Sequence, residues 1–231
     1  MKKILAALFA SIGPMSASAD DPELRKQRSI ELLVERDIPF IEHLPLIEHA
    51  HETTRRTEEE VVQRVIALAI VAVKGETGDD ALTHQIIEQF DAEDFFTPDE
   101  QAFIDNPNPT ETDRIQFTWR YEGVQVLLWS VQIFDELNWP DQIADVPEIA
   151  ETLSEMGTEG LRANAKLRSQ AELLDRVDLI YRCNWAVVAA RLNGGPVPAG
   201  LEGGVVQERH HTLNWLIGYL DQAWDDVSTD T

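Results

Sequence analysis

The feature that most constrains the fold of this chain is a helix-start motif that recurs along it. Residues 57–60 read TEEE, residues 97–100 read TPDE and residues 169–172 read SQAE. In each, a Ser or Thr precedes a Glu by three positions, which is the capping box that satisfies free N–H groups at a helix N-terminus. Residues 21–22 (DP) and 145–148 (DVPE) combine a capping side chain with a proline in the first turn. These motifs predict a succession of helices.

Signals for β structure are scarce in the same sequence. Runs that alternate apolar and polar residues are rare, and no repeat of solenoid length is found. The chain has 231 residues, of which 43% are hydrophobic, so it can bury a sizeable core. The sequence therefore predicts an all-α fold, with a single globular multi-helix domain over residues 20–231.

Residues 1–19 have the pattern of a secretory signal peptide. Two lysines follow Met1, residues 4–12 form a short apolar run, and residues 16–19 (SASA) are small. The apolar run is shorter than the roughly 20 residues that a membrane-spanning helix needs. We therefore predict cleavage after Ala19 and a mature protein that is periplasmic or secreted and has no membrane attachment.

The charge of the chain limits its partners. The formal net charge is −23 at pH 7, from 42 acidic and 19 basic residues. Such a surface repels nucleic-acid phosphates and anionic lipid headgroups, so no nucleic acid or membrane is expected as a partner. Cys183 is the only cysteine, which leaves no partner for an internal disulfide. It falls in an apolar helical stretch and is expected to be a small buried hydrophobe.

Apolar spacing predicts the buried side of several helices. From Thr110 to Phe134 apolar residues lie on nearly every side, which predicts one long central helix. The expected inner residues of the first helix, over residues 22–36, are Ile30, Leu33 and Val34. Those of the last helix, which contains ERHHTLNWLIGY over residues 208–219, are Leu213, Trp215, Leu216 and Tyr219.

Charged residues share helix faces with tryptophan in the central, long and last helices. Spacings of three and four align three sets: Trp119, Glu122, Val126 and Trp129; Asp175, Asp178, Arg182 and Trp185; Glu208, His211, Trp215 and Gly218. Charge on such a face is costly unless something pairs with it. The candidate residues for a binding site or a structural polar seam are Arg120, Glu122, Asp178, Arg182, Glu208, Arg209 and Asn214.

Two interpretations of this polar seam remain open. In the favoured one, arginines and carboxylates pair where helices meet, and Asp178 pairs with Arg182 four residues along the same helix. In the other, some of these groups line a pocket and bind a ligand.

The histidines suggest a metal site. His43, His49 and His51 lie in an irregular, proline-containing segment that could fold around zinc or copper. His210 and His211 point about 100° apart on a helix, so they do not readily share one ion. The sequence contains no HExxH and no Cys-x-x-Cys motif. No metal or other cofactor is therefore expected, and the three histidines of the irregular segment are the candidate ligands if one binds.

Five blocks of sequence, in their order, resemble domain-of-unknown-function family 4272. They are RSIELL, TEEEVVQRVIALA, FTWRYEGVQVLLWS, KLRSQAELLDRVDLIYRCNWAV and ERHHTLNWLIGYLDQAWDDVSTDT. The resemblance covers about residues 28–231. It implies a helical fold and supplies no catalytic residue, and the signal-peptide pattern is a departure from the family, which the resemblance implies is cytoplasmic in many members.

Three functional hypotheses follow. The leading one is a non-enzymatic binding or interaction module, whose partner is an unknown small molecule or exported protein. The second is a hydrolase, metal-assisted or not, that uses Glu208 with His210 or the loop of His43, His49 and His51. The third is a structural partner of another exported protein, for which the apolar helix around Val61–Val73 would be partly exposed.

Overall fold

The structure is a computed structural model, and it describes residues 20–230. Within this range it contains nine α-helices, two short 3-10 helices and no β-strand, which confirms the all-α prediction. The predicted signal peptide, residues 1–19, lies outside the described residues. The α-helices are α1 Pro22–Glu35, α2 Glu58–Thr77, α3 Asp80–Phe90, α4 Pro98–Asp105, α5 Glu111–Thr118, α6 Arg120–Ser130, α7 Val146–Asn164, α8 Gln170–Leu192 and α9 Gly203–Leu216. The 3-10 helices are Tyr219–Asp221 and Trp224–Asp226.

The helix-start motifs lie where the sequence predicts them. The side chains of Thr57, Thr97 and Ser169 each accept a backbone N–H in the first turn, and the Glu three residues later returns a hydrogen bond to the capping residue. Asp21 and Asp145 cap α1 and α7, each ahead of a proline. These helix starts are therefore set by contacts within four residues of chain.

Helices α2 and α6 form the centre of one hydrophobic core. All residues of α6 from Tyr121 to Ser130 are buried, and so are nearly all of α2 from Val61 to Gly75. Helix α2 packs against α5 and α6, α9 packs against α6 and α8, and α1 lies on α8. The helix around Val61–Val73 is therefore largely buried and is not the partly exposed helix expected under the structural-partner hypothesis.

The single helix predicted from Thr110 to Phe134 is wrong, because the chain breaks at Trp119 into α5 and α6. None of the residues of α5 is buried, whereas α6 enters the core. Helix α5 instead crosses the end of α2, where the Arg114 guanidinium donates to the carbonyls of Gly75 and Glu76 at 2.9 and 2.8 Å. These contacts hold α5 against the C-terminal end of α2.

The predicted inner face of α1 is only partly correct. Leu33 is buried, but Val34 is 56% exposed, and the buried stripe instead includes Arg25 and Ser29. Arg25 lies inside because its Nη1 donates to two backbone carbonyls of the irregular segment, those of Ile47 and Glu48, at 2.9 and 3.0 Å. A charged residue thus occupies a position that apolar spacing assigns to an aliphatic one.

Tyr219 does not belong to the last helix. Helix α9 ends at Leu216, and Gly218 follows in the left-handed conformation at φ +65°. This turn leaves Tyr219 half-buried, while Leu213, Trp215 and Leu216 are buried as predicted. Cys183 is buried as expected, and burial raises the pKa of its thiol to about 12.

Candidate functional site

Asp178 and Arg182 form a buried pair within α8. Arg182 donates from Nε and Nη2 to the two carboxylate oxygens at 2.9 and 2.7 Å, and both side chains are 0% exposed. A guanidinium that binds both oxygens of a carboxylate makes a strong charge-assisted contact. This pair is thus neutralised inside the core, as the structural interpretation of the seam predicts.

Glu122 and Arg209 form a second buried pair, between α6 and α9. Arg209 Nε lies 3.3 Å from Glu122 Oε2, and Arg209 also donates to the Asn138 carbonyl at 2.6 Å. The other Glu122 oxygen accepts the backbone N–H of Ala144. Burial raises the pKa of Glu122 and lowers that of Arg209, although each partner favours the charged form of the other. The pair joins the loop before α7 to two core helices.

Arg120 and Glu208 form the third pair, and it is closer to solvent. Their side chains lie 2.7 Å apart and are 23% and 17% exposed. Asn214, the seventh residue of the seam, is buried and donates to the Ser228 carbonyl at 2.8 Å. The seven residues thus form separate pairs and tail contacts, and the charge of each arginine is matched by its own carboxylate.

The predicted acid–base residues lie in different surroundings. His210 is 2% exposed, and its Nε2 lies 3.2 Å from the Asn214 amide nitrogen. Burial lowers the pKa of both His210 and His211 to about 4, so both rings are neutral near pH 7. Within the described residues no hydrogen bond joins the Glu208 and His210 side chains, and Glu208 is engaged by Arg120.

The irregular segment brings two of its three candidate histidines together. His49 and His51 lie close to the carboxylate of Asp20, whereas His43 is not part of this group. Sequence reasoning missed Asp20, because that residue is about 30 positions away along the chain.

A cleft of about 630 Å³ lies between α1, α8 and the loop that follows α6. Sequence reasoning did not predict this cleft. Its charged lining consists of five arginines and four carboxylates, those of Asp135, Glu136, Glu172 and Asp175, with two tryptophans beside them. The lining residues that bear on binding are Arg25, Arg28, Arg36, Trp129, Trp139, Arg168, Asp175 and Arg176.

Arg176 is the distinctive residue of the cleft. Its guanidinium carbon lies 5.6 Å from the centre of the Trp129 ring, and that of Arg168 lies 5.0 Å from the same ring. The pKa of Arg176 is lowered, mainly by burial and to a smaller extent by repulsion from Arg168. Across residues 20–230 Arg176 makes no hydrogen bond and no ion pair. Two cations therefore share one indole, and the carboxylates of Asp175 and Glu136 attract Arg176 without forming an ion pair with it.

The other arginines of the cleft are held in place. Arg168 donates to the backbone carbonyls of Trp129 and Asp135 at 2.8 and 2.7 Å. Arg25 and Arg28 both approach one carboxylate, that of Asp175, at 3.4 and 2.6 Å. The guanidinium of Arg36 lies 4.2 Å above the Trp139 ring. The walls of the cleft are thus fixed, and its guanidinium groups are already in position.

One sequence signal could have pointed to this cleft. Arg25, Arg28 and Arg36 are spaced by three and eight residues, which places them on one side of α1. In a chain with more than twice as many acidic as basic residues, such clustering is unexpected. Their meeting with Trp129 and Arg176 depends on how α1 packs on α8, which local spacing does not reveal.

Fold and site together define a helical domain, over the described residues, with an arginine- and tryptophan-lined cleft. The chain belongs to the family described as Domain of unknown function (DUF4272), whose model matches residues 25–227. The resemblance drawn from the five sequence blocks is thus confirmed, with slightly different bounds. No curated protein and no solved structure matches the chain. Among residues 20–230, no helix has both the length and the apolar character needed to cross a bilayer.

Proposed function

We propose that this protein is a non-enzymatic binding protein, and that the cleft takes a small molecule with a carboxylate or phosphate group. The observation that carries the proposal is Arg176, a half-buried guanidinium that makes no hydrogen bond or ion pair within the described residues and shares the Trp129 ring with Arg168. Bringing two like charges together in a partly desolvated place costs free energy, and a bound anion offsets this cost.

The chemistry of the lining supports an anionic ligand. A guanidinium presents a planar fork of N–H donors that matches carboxylate and phosphate oxygens. The indoles of Trp129 and Trp139 provide flat apolar surface beside these donors. The other arginines are fixed by carbonyls, by Asp175 or by Trp139, so little ordering is needed when a ligand binds.

The polar seam takes a structural role in this proposal. Each of its arginines has a carboxylate within 3.3 Å, so none is free to attract a ligand. The export signal predicted over residues 1–19 supports a ligand that the protein meets in the periplasm or outside the cell. An exported protein with an acidic side chain could present the same group to the cleft.

The proposal is tested by calorimetric titration of the purified chain with inorganic phosphate, citrate and phenyl phosphate. We expect at least one of these probes to bind with a stoichiometry of one. Arg176→Gln should weaken that binding about tenfold or more, since a charge-assisted hydrogen bond contributes about 1.5–3 kcal/mol. Arg191→Gln is the matched control, because Arg191 lies on the same helix but is exposed and outside the cleft.

Two results would contradict the proposal. One is the absence of binding by all three probes, and the other is an equal loss of affinity in the Arg176 and Arg191 variants. Release of phenol from phenyl phosphate would favour the competing hydrolase hypothesis instead.

A further inference from the structure

A second group of side chains, separate from the anion-binding part of the cleft, has the composition of a metal site. It consists of Asp20, His49 and His51, and one ligand atom from each lies within 4.8 Å of the others. His49 Nδ1 is 3.0 Å from the backbone carbonyl oxygen of Asp20 and 3.8 Å from its Oδ2, and the two imidazole rings are 5.2 Å apart at their centres. His51 is exposed and the His49 side chain is 45% exposed, so an ion can reach both rings.

The backbone around this group is held by specific hydrogen bonds. The N–H of Ala50, between the two histidines, lies 2.9 Å from both carboxylate oxygens of Asp20. The buried guanidinium of Arg25 donates to Asp20 Oδ1 at 2.8 Å and to the Ile47 carbonyl at 2.9 Å. Because one arginine binds both the carboxylate and the histidine loop, the three ligands stay together without an ion.

We propose that Asp20, His49 and His51 form a binding site for a divalent zinc ion. Two imidazole nitrogens and one carboxylate oxygen are a donor set that Zn²⁺ uses in sites with three protein ligands, where water takes the fourth position. Hard cations such as Mg²⁺ and Ca²⁺ prefer oxygen donors only, so the two imidazoles select against them.

Only small movements are needed to close the site. Zinc–ligand bonds of about 2.0–2.1 Å place the ligand atoms of a tetrahedral site roughly 3.3 Å apart. The ligand atoms must therefore come closer together than their present spacing. The rings of His49 and His51 are accessible and can rotate about their side-chain bonds to bring their nitrogens to this spacing. The ion would also tie the N-terminal end of α1 to the irregular segment, so zinc should raise the melting temperature.

The zinc site is independent of the proposed anion site, because none of its three ligands lines the cleft. Arg25 touches both places, so it is left unchanged in the test. The zinc site would persist if the cleft bound no anion, and the cleft could bind an anion if no zinc were bound.

The test is a calorimetric titration of the purified full chain with ZnCl₂, together with the zinc content after dialysis. We expect one equivalent of zinc to bind. His51→Ala, His49→Ala and Asp20→Asn should each weaken binding about tenfold or more. Asn keeps an oxygen that can accept the Ala50 N–H and the Arg25 donor, so that variant preserves the local fold. His84→Ala and His43→Ala are the controls, because these histidines are exposed and outside the group.

Three outcomes would overturn the proposal. The first is no zinc binding, and the second is binding of several equivalents with no stoichiometric step. The third is an affinity that falls equally in the His84 or His43 variants, which would indicate adventitious binding to surface histidines. Because His51 makes no hydrogen bond within residues 20–230, His51→Ala should keep the circular dichroism spectrum of the parent, so its effect on zinc reports the site.

Discussion

The buried ion pairs differ in whether the two partners are close together or far apart in the sequence. Asp178 and Arg182 are four residues apart on one helix, so their contact follows from helical geometry. Glu122 and Arg209 are 87 positions apart and meet only because α6 packs on α9. Removing one partner of a buried pair leaves an uncompensated charge and costs about 3–5 kcal/mol, whereas adding such a pair to a core need not stabilise it.

The buried histidines predict a loss of stability in mild acid. The folded pKa of His210 and His211 is about 4, below the unfolded value of about 6.5, because burial disfavours the charged ring. The unfolded chain therefore binds protons first, so stability is fully present above about pH 6.5 and is lost as the pH falls toward 4. Between pH 7 and pH 5 we expect each histidine to lower the free energy of unfolding by about 1–2 kcal/mol. Urea denaturation at several pH values measures this slope.

A single substitution isolates this contribution from that of the carboxylates. His210→Gln retains a group that can bond to the Asn214 amide and removes the titration, so the slope between pH 7 and pH 5 should fall to about half. His84→Gln, at an exposed position, should leave the slope unchanged. A slope that is the same in all three proteins would show that His210 does not control acid stability.

At the scale of the helices, the crossing of α5 over α2 depends on Gly75. A Cβ built on Gly75 would lie 2.7 Å from the Arg114 carbonyl oxygen and 2.9 Å from the Thr118 nitrogen, both backbone atoms. Since backbone cannot move aside as a flexible side chain can, only glycine allows the two helices to come this close.

Gly75→Ala should therefore destabilise the protein by about 1–3 kcal/mol, the usual cost of overpacking. In a solvent-exposed helix the same substitution would stabilise the protein by roughly 0.5–1 kcal/mol. The sign of the change in unfolding free energy therefore shows whether the contact with α5 is tight. Gly203→Ala is the control, because its nearest neighbour would be Val187 Cγ1 at an ordinary 3.4 Å. Chemical denaturation compares the two. A neutral or stabilising effect at Gly75 would mean that α5 can move away from α2.

At the scale of the whole molecule, the dominant electrostatic feature is the net charge of −23. Like charges spread over the surface repel one another and oppose the compact state, and salt screens them over about 10 Å at 0.1 M. Buried pairs such as Asp178 with Arg182 are screened much less.

Salt should therefore stabilise this protein. Raising NaCl from 20 mM to 0.5 M at pH 7 is expected to raise the melting temperature by roughly 2–4 °C, equivalent to about 1 kcal/mol for a chain of this size. KCl at equal ionic strength is the control and should give the same shift. A melting temperature that falls with salt would mean that exposed ion pairs outweigh the general repulsion.

The sequence by itself determined the features that depend on short stretches of chain. Capping boxes at Thr57, Thr97 and Ser169 specify helix starts because each bond closes within three residues. The Asp178–Arg182 pair was likewise predictable, since a helix fixes the spacing of its own side chains. Ordered sequence blocks were also enough to predict the family.

Only the tertiary structure decided which polar groups come together. The break at Trp119, the burial of Arg25 and the meeting of Arg176 with Trp129 all depend on contacts between elements distant in the sequence. Asp20 likewise joins His49 and His51 across about 30 residues. Local spacing fixes the side of a helix on which a residue lies, but the packing of helices on one another determines what that side faces, and so where binding sites arise.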